Sequence, residues 1–139
     1  MKYKIAAIGA SAVALVAMAS APASATTWGL QCAVTGASGY VNYNVTSSTR
    51  IDLTIGVRDT SSDGHHARAR LLTKNNSGEI HYWAWRKDTD GANNGTINAD
   101  TFASDSNGIT DVGVQVGNYE GDEPLDLCSD WVQRDIILG

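Results

Sequence analysis

Residues 41–57 read VNYNVTSSTRIDLTIGV, and apolar side chains recur at every second position: Val41, Tyr43 and Val45, then Ile51, Leu53, Ile55 and Val57. Alternation with period two puts one face of a chain against a core and the other in water, which is the mark of a half-buried strand. Thr46 to Thr49 between the two runs is turn-prone, so the segment predicts two consecutive antiparallel strands. Buried parallel strands would instead read as continuous apolar runs.

Working outward, the same alternation returns. A strand is expected from about His66 to Thr73, a second from Glu79 to Arg86, a third from Thr96 to Ala103 and a fourth from Thr110 to Asn118. The stretch Leu125–Leu138, with Leu127, Trp131, Ile136, Ile137 and Leu138, holds at least one more. Loops rich in Asp, Asn, Ser and Gly separate them, at 59–64, 75–78, 87–95 and 104–108. No helical 3.6-residue period is sustained after residue 25. The fold class expected is all-β, a single antiparallel β-sandwich, Ig-like or similar, of about seven strands.

The first 25 residues follow different rules. Lys2 and Lys4 precede an apolar stretch from Ile5 to Ala19, and Ala23-Ser24-Ala25 forms a small-residue exit. This is the pattern of a secretory signal peptide cleaved after Ala25, too short for the ~20 apolar residues of a spanning helix. Residues 26–139 then form one domain, secreted and extracellular, with no membrane attachment after cleavage. Losing the two leader lysines takes the formal net charge from −5 to −7. Such a surface repels polyanions, so nucleic acid is not an expected partner.

Cys32 and Cys128 stand near the two ends of the mature chain. Exported chains meet an oxidising compartment, and an even cysteine count there is read as a disulfide, here one bridge tying the first strand to the last. Zinc sites need four ligands, usually in close pairs, which two distant cysteines do not supply.

The segment HARARLLTKNNSGEIHYWAWRK, residues 66–87, predicts a hairpin. With Lys74 opposite Glu79 across a four-residue loop, Leu72 faces His81, Arg70 faces Trp83 and Arg68 faces Trp85. Ala67, Ala69 and Leu71 then share the core face with Ile80, Tyr82 and Ala84. In that register Arg68, Arg70, His81, Trp83 and Trp85 form an outward array of the residue types most enriched in binding hot spots. A one-residue change in register would instead turn Trp83 and Trp85 into the core, and both registers stay open at this stage.

Two loops gather potential metal ligands. KDTDGANNGT, residues 87–96, is oxygen-rich, but Ala92 and Asn93 depart from an EF-hand loop and no Glu closes it. Asp59, Asp63, His65 and His66 are neighbours in a loop without converging ligands. Both are read as solvated loops, with no metal and no cofactor. Neither a nucleophile elbow nor a phosphate-binding glycine motif occurs.

The stretches DGHHARARLLTKNNSGEIHYWAWRKDTDG, residues 63–91, and SNGITDVGVQV, residues 106–116, with the late Cys128, resemble small secreted β-sandwich proteins of Streptomyces and related actinobacteria. In size and two-cysteine layout the chain is similar to the adaptor subunit of umbrella toxin particles, a β-sandwich linking a lectin-type subunit to a stalk protein. The resemblance implies a non-enzymatic adaptor with an extracellular protein partner. A carbohydrate-binding module using the tryptophans is the second expectation, and a small hydrolase or inhibitor the third.

Overall fold

The computed structural model describes residues 26–132. The leader read at residues 1–25 and the apolar run from Ile136 to Leu138 lie outside the described residues. Among the described residues nine strands make two antiparallel sheets: β1 (Thr27–Val34), β2 (Ala37–Ser47), β3 (Arg50–Asp59), β4 (His66–Lys74), β5 (Ile80–Tyr82), β6 (Arg86–Lys87), β7 (Ile97–Ser104), β8 (Asp111–Glu120) and β9 (Glu123–Val132). The first sheet runs β1-β2-β3-β7. The second runs β5-β4-β8-β9, with β6 pairing β4 beyond β5.

The sheets pack face to face as a β-sandwich, as the alternating pattern requires. Val41, Tyr43, Ile51, Leu53, Ile55 and Val57 from one sheet meet Ala67, Ala69, Leu71, Val112, Val114 and Val116 from the other, all buried. The first strand, expected at Cys32 but given no bounds from the sequence, is β1, where Trp28, Leu30, Cys32 and Val34 alternate inward. Gly121 and Asp122 make a tight turn between β8 and β9, which begins at Glu123.

A sandwich has two open flanks, and each is closed differently. On one flank the edge strands β1 and β9 are tied by the disulfide Cys32–Cys128, with Cα atoms 6.2 Å apart. On the other flank Trp83 packs on the core and lines a cavity of about 80 Å³ with Leu53, Ile55, Leu71, Thr101 and Phe102.

The β4–β5 hairpin differs from the expected register, for a reason visible in its turn. Asn75 is the last paired residue of the hairpin, not part of its loop: its N–H donates to the Glu79 carbonyl at 3.1 Å, leaving residues 76–78 as a three-residue connection. The Asn75 Oδ1 accepts the Ser77 and Glu79 N–H groups at 3.0 and 3.1 Å. Gly78 takes the left-handed conformation, φ 79°, that such a loop demands at its last position. With the loop one residue shorter, Leu72 stands opposite Tyr82, Thr73 opposite His81 and Lys74 opposite Ile80. A one-residue slip exchanges the faces of a strand. Ile80 and Tyr82, expected in the core, are therefore exposed, with Tyr82 54 % accessible.

The register changes once more farther along. Trp83 N–H still bonds the Leu71 carbonyl at 3.1 Å, but β6 pairs Ala69 with Arg86 and Arg68 with Lys87. One extra residue is accommodated between Trp83 and Arg86, a β-bulge that returns Trp85 to the outward side.

Candidate functional site

Because inward and outward positions alternate, the outer side of the second sheet is built from the even residues of β4 and the odd residues of β8. His66 lies opposite Tyr119, Arg68 opposite Gly117, Arg70 opposite Gln115, Leu72 opposite Gly113 and Lys74 opposite Asp111. Trp131 and Leu127 on β9 stand opposite Gly113 and Gly117. These two glycines are structural necessities of the face. A Cβ on Gly113 would sit 2.7 Å from the Trp131 ring, and one on Gly117 would sit 2.6 Å from both Leu127 and Tyr119. Without side chains at those positions, the large groups lie flat across the sheet.

Under this cover the outward Leu72 is only 2 % exposed. The face is thus a packed layer in its own right, formed of aromatic rings with cations between them.

Arg68 anchors one end of it. The residue is 6 % exposed, its guanidinium carbon lies 4.2 Å from the Tyr119 ring centroid, and its Nε and Nη2 donors are engaged. Nε donates to His66 Nε2 at 2.9 Å, and Nη2 donates to the Gly121 carbonyl at 2.6 Å and to Asp122 Oδ1 at 2.8 Å. The Arg68 cation in turn holds the Asp122 carboxyl below its ordinary range, chiefly through that hydrogen bond. Burial, with Arg68 and Lys87 close by, lowers the pKa of His66, consistent with a ring nitrogen that accepts from Arg68.

Arg70 is held between two rings. Its guanidinium carbon is 4.6 Å from the Tyr82 centroid and 4.1 Å from that of Trp85, while Nε donates to Gln115 Oε1 at 2.8 Å. Trp85 meets Tyr119 edge-on, at 5.5 Å and 70°. At the far end Lys74 lies 5.8 Å above Trp131 and 3.6 Å from Asp111.

Of the five residues expected to form an array, the structure brings Arg68, Arg70 and Trp85 together on this face. His81 and Trp83 lie on the other side of the same hairpin. Trp83 Nε1 donates to Thr73 Oγ1 at 3.0 Å, and the His81 ring stacks on Trp83 at 4.1 Å. The sequence reading missed Tyr82, Gln115, Tyr119 and Trp131. Their signal lay in the alternation of Asp111, Gly113, Gln115, Gly117 and Tyr119, which acquires meaning only once β8 is known to pair with β4.

The opposite outer face, on the first sheet, is different. It presents Gln31, Tyr40, Asn42, Asn44, Thr54 and Asp100 over open grooves of about 460 and 510 Å³. Its polar groups pair with each other, as Tyr40 with Asn98, Thr54 with Asp100 and Thr27 with Asn44.

The two oxygen-rich loops also have assigned tasks. Asp88 is buried, its Oδ2 accepting the Asp59 N–H at 2.7 Å and its Oδ1 the Asp90 N–H at 2.9 Å. His65 lies between Asp63 and Glu120. Among the described residues no group of three or more His, Cys, Asp or Glu side chains has an arrangement that could hold a metal ion.

Compared with known proteins, the chain matches no protein-family model and no curated protein.

Proposed function

We propose that this chain is a secreted, non-enzymatic binding module, an adaptor in an extracellular assembly, that engages a protein partner through the outer face of its second sheet. The observation that carries the reading is the composition of that face. An outward sheet face is ordinarily polar, as most of the first sheet's is apart from Phe102 beside Arg50, whereas this one carries Tyr82, Trp85, Leu127 and Trp131 with Arg70 set among them, laid over the buried Tyr119 and Arg68. Trp, Tyr and Arg dominate binding hot spots: Trp and Tyr supply large area with few lost rotamers and a polar end, and Arg supplies a planar charged fork.

The same contacts favour a protein over a sugar. Saccharide rings stack on an open aromatic face, but Arg70 covers Trp85 and Lys74 lies over Trp131. The carbohydrate reading therefore has less support.

Photo-crosslinking tests the proposal. A crosslinker replacing Tyr82, compared with one replacing Asn42 on the other sheet, is expected to trap one extracellular protein from the Tyr82 position alone, with the yield falling at least fivefold when Trp85→Ala is added. Equal trapping from both positions, or none from Tyr82, would overturn it.

A further inference from the structure

The cations of this molecule are not equivalent. Arg50 pairs with Asp52, Arg68 with Asp122 and Lys74 with Asp111. Arg58, Arg70, Arg86 and Lys87 have no carboxylate within salt-bridge reach among the described residues; of these four only Arg70 is half-buried, and its single hydrogen bond there runs from Nε to Gln115. Its Nη groups are not among the buried atoms lacking a partner, so they reach solvent.

The guanidinium is also fixed in place. Tyr82 and Trp85 hold it from its flanks and Gln115 orients the Nε edge. What remains is a planar pair of donors, partly withdrawn from water and already ordered, so that little further side-chain entropy is lost when an acceptor arrives. A charge in such a setting gains more from a counter-ion than an exposed one, because water screens it less.

We propose that Arg70 is the receptor for a carboxylate presented by the docked segment of a protein partner, received by its terminal Nη donors. This rests on the protein-binding reading of the face. A carboxylate matches the planar fork of a guanidinium in a bidentate contact. A long polyanion does not fit, because Asp111, Asp122 and Glu123 border the same face and the chain as a whole carries a net charge of −5. A single acid within an otherwise apolar segment satisfies both Arg70 and the surrounding rings. The acid can be an Asp or Glu side chain or a C-terminal carboxylate, which share this chemistry.

The side-chain Nε–H resonances of Arg70 and Arg50 in the purified protein report the binding directly. Four probes are titrated: N-acetyl-Leu-Asp-Leu amide, N-acetyl-Leu-Leu with a free C-terminus, N-acetyl-Leu-Asn-Leu amide and inorganic phosphate. The expected result is a saturable shift of Arg70 with at least one of the first two, at least tenfold weaker with the Asn peptide and with phosphate, and no matching shift of Arg50. Which of the first two binds tells side chain from C-terminus. Tryptophan fluorescence of Arg70→Lys, which retains charge and loses the fork, should show at least tenfold weaker binding of the same peptide with an unchanged melting temperature.

Equal response to the Asn peptide, equal response to phosphate, or parallel movement of Arg50 would overturn the proposal. A shift that grows with protein concentration alone would assign the acid to a second copy of this chain and overturn it too. If the Tyr82 crosslink survives Arg70→Gln undiminished, the carboxylate receptor fails and the binding face stands. Selective titration of Arg70 without any crosslinked protein would separate the two in the other direction.

Discussion

The indole N–H of Trp83 donates to the hydroxyl of Thr73 at 3.0 Å, on the core side of the sheet, while Arg70 and Trp85 meet on the other side. Two tryptophans separated by one residue thus have opposite tasks. Trp83→Ala removes the packing that closes one flank of the sandwich and is expected to cost about 3 kcal/mol, at the low end for large-to-small aromatic changes because the ring is half-buried. Trp85→Ala should cost about 1 kcal/mol and abolish partner capture. Urea unfolding of the two variants checks the split.

Tyr43 is a core residue with no exposure, and its hydroxyl has no hydrogen-bond partner. Burial pushes its pKa from 10.0 up to about 12. A raised value means that the folded state holds the proton more tightly, so the associated stability is complete below pH 10 and is lost as pH rises toward 12. The loss is on the order of 2 kcal/mol. Tyr43→Phe deletes the unpaired hydroxyl, and thermal melts should show it more stable by about 1 kcal/mol at neutral pH and without that alkaline decline.

The Arg68–Asp122 contact gives the opposite sign. Asp122 is held below the ordinary carboxylate range by Arg68, so its contribution is complete above the pKa of an unfolded aspartate and disappears as pH falls through the lower folded value. Asp122→Asn should flatten the acid limb of a melting temperature against pH curve. It should lower the melting temperature slightly at pH 7, where that contribution is complete, the loss being limited because the Gly121 carbonyl and His66 still accept from Arg68, and leave it unchanged in acid, where the unaltered protein has already lost the contribution.

The disulfide joins the free edges of two different sheets across a sequence separation of 96 residues. The chain-entropy model assigns about 4.7 kcal/mol to a loop of that size, and measured values often fall short of it. Cys32→Ser with Cys128→Ser should lower stability by about 3 to 4 kcal/mol. Amide exchange should speed up first in β1 and β9, which each have a neighbour on one side only.

The sandwich and the bridge were legible because both depend on local pattern. Val41 to Val57 and Val112 to Val116 alternate so strongly that only one face of each strand can be buried, and two cysteines allow a single pairing. The faces of Tyr82, Trp83 and Trp85 were not legible in the same way. They depend on whether Asn75 lies in the turn or closes it, and on an extra residue before Arg86, choices made by a side-chain hydrogen bond and by a bulge.

By itself the sequence determined an all-β chain of alternating strands, the core-facing residues of its strongly alternating strands and the partners of its disulfide, since period-two alternation and burial of apolar area act within each strand. Only the tertiary structure decided that Tyr119, Gln115 and Trp131 join Arg68, Arg70 and Trp85. Register and strand order are collective properties: a one-residue change in a loop exchanges the faces of a strand, and β4 meets β8 only after the chain has closed a long loop between them.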